Sequence, residues 1–306
     1  MMISAKKSRF QRISRIIITV FFIFCTFSLA ATKIIYDSIF TRYDEPADIP
    51  QALQDTTMQR QVCQFPSGGN TLTGYYYSAA DANGLIVLVP GFHAGGDDYL
   101  WQIRELLDCG WSIFTFDTTG TLRSEGDSQV GFSQSLPDLE AALQYLDEAG
   151  RFGHTELILM GHSRGAYAAC CALARERDIA AVVSISGANS AMETIMQMSG
   201  PAGYGNYGFL WLYQLSLFGA DTLNLSAAKI ISETTVPVLV IHGTQDDQIP
   251  LDNCSIISHK SQILSPKVEY LLFDAGHTDL LFDADGTAND ALISQIHEFL
   301  LRSIKK

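Results

Sequence analysis

The sequence predicts an α/β fold, a mostly parallel sheet covered by helices on both faces, carrying an apolar helix at its N-terminus. Three observations predict it. Strand-length apolar runs at 71–78, 85–89, 112–116, 156–160, 181–186, 237–241 and 268–273 alternate with helical segments at 98–109, 137–149, 166–177, 252–263 and 289–304, and that alternation gives parallel crossovers. A Gly-His-Ser-Arg-Gly pentapeptide joins one of those strands directly to an Ala-rich helix. A basic cluster at the start leads into sixteen uncharged, mainly apolar residues. The 306 residues suit one large α/β domain behind that leader.

The pentapeptide is Gly161-His162-Ser163-Arg164-Gly165, behind Leu157-Ile158-Leu159-Met160 and ahead of the helix at 166–177. Glycines on both sides allow a tight strand-to-helix turn that lifts the serine hydroxyl above the sheet edge. A serine hydroxyl is a poor nucleophile until a base takes its proton, so an imidazole and a carboxylate that orients it are required further on. Asp246 lies in the loop His242-Gly243-Thr244-Gln245-Asp246-Asp247 after the strand at 237–241, and His277 in Asp274-Ala275-Gly276-His277 after the strand at 268–273. Asp247 and Asp279 are the rival acids. The order serine, acid, histidine differs from the chymotrypsin and subtilisin orders. Pro90-Gly91-Phe92 follows the strand at 85–89. Backbone N–H groups at Phe92 and Arg164 are the expected oxyanion donors, because acyl transfer places negative charge on the former carbonyl oxygen.

These pieces, with Phe116-Asp117-Thr118-Thr119-Gly120-Thr121-Leu122-Arg123-Ser124 between them, resemble the α/β-hydrolase superfamily, in particular its serine-nucleophile branch of serine aminopeptidase-like, lysophospholipase and esterase proteins. The resemblance runs from about residue 60 to the C-terminus. It implies an α/β-hydrolase fold over 61–306, a Ser163–His277–Asp246 triad, and no metal or organic cofactor. The chain departs from the common pattern at Pro90, Thr119 and Leu122, where members often carry histidine, arginine and glycine.

One connection is too long for a plain crossover. Residues 188–235 separate two strands, and loops of that length carry structure or function of their own. The stretch holds Gly200-Pro201-Ala202-Gly203-Tyr204-Gly205-Asn206-Tyr207-Gly208, then Phe209-Leu210-Trp211 and further apolar residues to Phe218. It reads as a lid, flexible first and helical second, or as a helix that extends the core. Under the lid reading His93, Tyr204, Tyr207 and Trp211 line an apolar substrate pocket.

Lys6, Lys7, Arg9, Arg12 and Arg15 precede the uncharged run 16–31. Sixteen residues span about 24 Å as a helix, short of a hydrocarbon core of about 30 Å; with Lys33 snorkelling, Ile34 to Tyr36 complete the span. Residues 1–36 therefore read as a cytoplasmic tail and signal-anchor, with a cleaved secretory signal as the alternative, and both put the enzyme domain outside the cytoplasm. Residues 37–60 read as a stalk or as the first edge of the domain.

The net charge is −13, of which the first fifteen residues carry +5, leaving −18 on the rest. An acidic domain repels phosphate backbones, which excludes nucleic acid as the expected partner and disfavours anionic lipid head groups. The six cysteines contain no Cys-x-x-Cys pair, so no zinc framework is indicated. His154, His259 and His297 read as surface residues. The expected activity is hydrolysis of a small-molecule carboxylic ester through an acyl-enzyme. Peptidase or acyltransferase chemistry on the same residues, and a catalytically silent membrane-anchored binding protein, are the alternatives.

Overall fold

The computed structural model of the chain describes residues 2–46, 58, 60–150 and 156–304; the expectations for 47–57, 59 and His154 fall outside them. Eight strands form one sheet: β1 (Arg60–Ser67), β2 (Asn70–Tyr77), β3 (Leu85–Val89), β4 (Ser112–Phe116), β5 (Leu157–His162), β6 (Ala181–Ile185), β7 (Val238–Gly243) and β8 (Val268–Phe273), in the spatial order β1-β2-β4-β3-β5-β6-β7-β8. β3 to β8 are mutually parallel, and β2 joins β4 antiparallel. β3, β4, β5, β6 and β7 are buried at every residue. Parallel strands covered on both faces have no solvent side, which is why they read as unbroken apolar runs. The sheet changes its direction of winding at β3, which has β4 on one side and β5 on the other. Ligands of open α/β sheets bind outside the strand carboxyl ends at such a reversal.

Alternate residues of each strand serve different layers. Leu85, Val87, Leu159 and Val182 pack with α3 (Ser135–Glu148), α4 (Arg164–Cys171) and α6 (Ala227–Glu233), while Ile86, Leu88, Ile158 and Val183 pack with α2 (Leu100–Asp108) and α7 (Asp290–Ile304). The strand β1 is an addition to the expected set. It pairs with β2 across a turn in which Gly68 takes φ 57, and it carries Pro66, which a sheet edge tolerates. The helix expected at 252–263 is turns followed by a 3₁₀ segment, Ile257–Gln262. Ser255 and Ser258 hydroxyls bond the backbone carbonyls of Leu251, Asn253 and Ser255 there, in competition with a helical ladder.

The N-terminal helix α1 spans Met2–Ile39. Its stretch Phe10–Ile39 is, by length and composition, one helix long and apolar enough to cross a membrane. Its last turns nevertheless enter the domain core: Thr32, Tyr36 and Phe40 are buried, whereas Ile34 and Ile35 are exposed. Lys33 pairs with Asp37 at 2.5 Å, and the Tyr213 hydroxyl donates to Asp37 at 2.6 Å. Lys33 Nζ also donates to the Tyr213 hydroxyl at 3.3 Å. Residues 37–46 follow the domain-edge reading rather than the stalk, since Thr41 and Tyr43 make bridges to Ser128 and Thr121.

The long connection after β6 is α5 (Ala191–Leu223), broken where Gly200 (φ 55) and Gly219 (φ 72) leave helical dihedrals, followed by α6. The expected flexible first part is thus helical. The glycine-rich stretch is tolerated because α5 packs along α1, with Phe209 against Phe24 at 6.1 Å and Tyr213 against Tyr36 at 5.3 Å, so tertiary contact outweighs weak helix propensity.

Candidate active site

Ser163 sits where β5 ends and α4 begins, at φ 55, ψ −118. A non-glycine residue there stores of order 1–3 kcal/mol of backbone strain, held by its surroundings. Those surroundings are tight. A Cβ on Gly161 would lie 2.3 Å from the Gly165 carbonyl carbon, and one on Gly165 would lie 2.1 Å from the Val89 oxygen. Both glycines are therefore required by close backbone approach. The Ser163 N–H bonds the Ile185 carbonyl at 2.8 Å, which ties the elbow to β6.

Asp246 and His277 come together from the ends of β7 and β8. His277 Nδ1 donates to Asp246 Oδ2 at 2.7 Å, while Asp246 Oδ1 accepts the Gln248 and Ile249 N–H groups at 3.0 and 2.8 Å. His242 Nε2 lies 3.2 Å from the same Oδ2 and 2.9 Å from the Ile249 carbonyl. Burial alone would raise the Asp246 pKa. The hydrogen bonds from His242 and His277, the His277 charge and the Ile249 amide outweigh it and hold the carboxyl well below the usual carboxylate range. The rival acids Asp247 and Asp279 are exposed, and His277 Nδ1 bonds Asp246.

The residue beside Ser163 has a part that its sequence position did not reveal. His162 is buried between Tyr99, whose hydroxyl is 3.0 Å from Nδ1, and the His277 carbonyl, 3.1 Å from Nε2. A carbonyl only accepts, so Nε2 carries the proton and Nδ1 accepts from Tyr99. Burial, reinforced by the His277 charge, pushes the His162 pKa down to about 3, which keeps this tautomer neutral. The Tyr99 hydroxyl in turn accepts the Gly91 N–H at 3.0 Å. One hydrogen-bonded chain thus links the Gly91 turn, the elbow and the His277 loop, and Ser186 Oγ adds a second donor to the His277 carbonyl at 3.1 Å.

Arg164 begins α4, so its N–H is one of the four that a helix leaves without an intrahelical partner. Its guanidinium is fully buried, bonds Thr118 Oγ1 through Nη2 at 2.9 Å and lies 5.5 Å from the Phe92 ring centre. Burial pushes its pKa down to about 10, and the group stays charged at neutral pH. Thr119, at the position where arginine is common, anchors the buried Asp138 through its N–H and hydroxyl, both at 2.8 Å. Leu122, at the second glycine position, holds φ 45.

A cleft of about 250 Å³ opens over Ser163, walled by Phe40, Phe92, Phe132, Thr194, Met198 and Ile249. The expected pocket residues are elsewhere. Tyr204 and Tyr207 are exposed, and Trp211 is half-buried on the arm of α5 beside α1. His93, at φ 54, stacks between Tyr43 and Phe92, outside that wall. A helix apolar all round does not reveal which side faces the cleft. His259 and His297 are half-buried, bonded to Asn189 and Trp111 respectively.

The family model of serine aminopeptidase, S33, matches residues 80–202, the span from β3 through the elbow to the first arm of α5. Over 129 residues the chain is 28% identical to a proline iminopeptidase of Saccharolobus solfataricus; that match covers 40% of each chain, so the chain spans less than half of that relative's length. An esterase of Pyrococcus furiosus superposes with TM-score 0.63 at 17% identity, over 87% of this chain and 99% of its own. The chain has the α/β-hydrolase fold. An acylaminoacyl peptidase of Pyrococcus horikoshii shares the fold with TM-score 0.62 at 18% identity, over 83% of this chain and 43% of that one. The chain therefore resembles both esterases and peptidases of that fold.

Proposed function

We propose that the chain is a serine hydrolase that cleaves carboxylic esters by two-step acyl transfer, held to a membrane by α1 with its catalytic domain outside the cytoplasm. The observation that carries the reading is the 2.7 Å bond of His277 to Asp246, beside a serine on a strained elbow at the floor of an apolar cleft. His277 Nε2 takes the Ser163 proton as Oγ attacks the carbonyl carbon. Asp246 keeps the imidazole proton on Nδ1 and stabilises the imidazolium. The Phe92 and Arg164 N–H groups receive the oxyanion. The tetrahedral intermediate collapses as His277 gives its proton to the leaving alcohol, and water repeats the cycle to release the acid and restore Ser163.

A peptidase reading draws on the family model and on the iminopeptidase likeness. The aromatic and aliphatic walls favour the ester of an apolar acyl group, while Asp247, which also lines the cleft, is the acidic partner that the charged amine of an aminoacyl amide would need, so the two substrate classes are compared directly. Turnover of aryl esters and aminoacyl amides by the intact chain and by Ser163→Ala tests the proposal. The expected result is ester hydrolysis by the intact chain and at least a 10³-fold loss on substitution. Equal rates for both proteins would refute the nucleophile, and preference for the amides would favour the peptidase.

A further inference from the structure

We infer that the furrow between α1 and α5 is an acyl-chain site that opens on the bilayer and leads to Ser163, so that the substrate is a long-chain acyl ester with an uncharged head drawn directly from the membrane; this rests on the hydrolase and anchor readings above. The furrow is a separate space of about 220 Å³ lined by Ile35, Ile39, Ile195, Met198 and Leu210, with Gly203 in its wall. Met198, 47% exposed, also walls the cleft over Ser163, so the two spaces share one flexible side chain. A methionine with three rotatable bonds is suited to such a shared wall.

The outer edge of the furrow belongs to the helix that reads as the membrane span. Ile35 lines the furrow and is 62% exposed, one residue after Ile34 at 69%. Higher on the same helix Phe24, within the uncharged run, touches Phe209 of α5, which places this arm of α5 at the depth of the span. The arm exposes Tyr204, Tyr207, Leu212 and Leu217, an apolar surface continuous with that of α1. In water such a surface would be a liability, whereas a bilayer covers it. The aromatic residues expected in the substrate pocket thereby acquire a place at the lipid surface.

The occupant follows from the chemistry of both ends. The furrow walls are mainly apolar, with Thr32, Tyr36, Ser199 and Asn206 as the members that carry polar atoms, and they provide no cation for an acidic head. At the other end Asp247 stands at the cleft mouth of a domain carrying −18 outside its first fifteen residues. An acyl tail in the furrow places the ester carbonyl at Ser163 and an uncharged head among Asp247 and Gln248.

The test uses the full chain in phosphatidylcholine nanodiscs and the p-nitrophenyl esters of acetate, butyrate, hexanoate, octanoate and decanoate. The expected kcat/KM rises about fourfold per added methylene beyond butyrate, the equivalent of about 0.8 kcal/mol each. Ser199→Phe, which sets a ring across the furrow, flattens that rise, and Ser199→Ala keeps it. No rise in the wild type beyond butyrate, or an unchanged slope in Ser199→Phe, overturns the furrow. If Ser163→Ala hydrolyses every ester as fast as the wild type, the hydrolase reading fails by itself. The furrow is then read by photolabelling Ser163→Ala in the same discs with a decanoyl glycerol ester bearing a terminal diazirine. Label on residues 195–210 supports it, and label confined to 16–31 overturns it. Carbonate extraction tests the anchor separately, and recovery of the full chain in the soluble fraction overturns the bilayer route.

Discussion

Replacing Asp246 by asparagine probes the orientation of His277 without changing the volume at that position. The Gln248 and Ile249 N–H groups both point at Oδ1, so the asparagine must offer them its carbonyl oxygen and turn its NH₂ toward His277 and His242. His242 Nε2 carries a proton, because it also faces the Ile249 carbonyl, and His277 Nδ1 carries one while it faces a carboxylate. The substitution therefore sets a donor against two donors. The outlet available to His277 is to move its proton to Nε2, the nitrogen that must accept from Ser163. The lost charge-assisted bond removes about 1.5–3 kcal/mol from the productive tautomer, and the imidazolium formed during attack loses its counter-charge as well. A triad in the wrong tautomer loses about 10⁴-fold in kcat, or about 5 kcal/mol of transition-state stabilisation. The assay is kcat for an aryl ester, with the thermal midpoint of each protein as a folding control. A folded Asp246→Asn variant within tenfold of the wild type would refute the assignment of Asp246.

Tyr99→Phe removes the hydroxyl shared by Gly91 and His162, leaving a buried N–H and a buried ring nitrogen unpaired; the expected destabilisation is about 1–3 kcal/mol for each group, read by urea denaturation, and a loss below 0.5 kcal/mol would contradict the network. His162 titrates at about 3 when folded against about 6.5 unfolded. Its folded pKa is depressed, so its contribution is present above pH 6.5 and falls by about 1.4 kcal/mol per pH unit as the pH drops toward 3; His162→Gln should flatten that slope in denaturation curves taken from pH 7 to 5. Gly165→Ala sets a methyl 2.1 Å from the Val89 oxygen, and the expected loss is at least about 1–3 kcal/mol, seen as a lower thermal midpoint; an unchanged midpoint would mean that the backbone has room to part there.

The positions of Ser163, Asp246 and His277 were legible because each lies at the carboxyl end of a recognisable strand. A parallel sheet delivers all such ends to one edge whatever their separation in sequence. The winding reversal at β3 then fixes which edge positions face one another. Long-range docking was not legible. Phe40 walls the cleft from the end of α1, and the uniform apolarity of that helix marks no face as meeting protein. The same uniformity hid the direction of Tyr204, Tyr207 and Trp211. His162 was recognisable as an elbow position, but its bonds to Tyr99 and to the His277 carbonyl depend on loops joined only in three dimensions. In the stretch 252–263 apolar spacing suggested a helix, and serine hydroxyls took the backbone acceptors instead.

The most direct measurement is peptide mass mapping after reaction of the full chain with a fluorophosphonate. A single adduct at Ser163, absent from Ser163→Ala and formed far more slowly by a folded His277→Ala variant, is the expected result. An adduct at another residue, or equal labelling of the wild type and Ser163→Ala, would contradict the account.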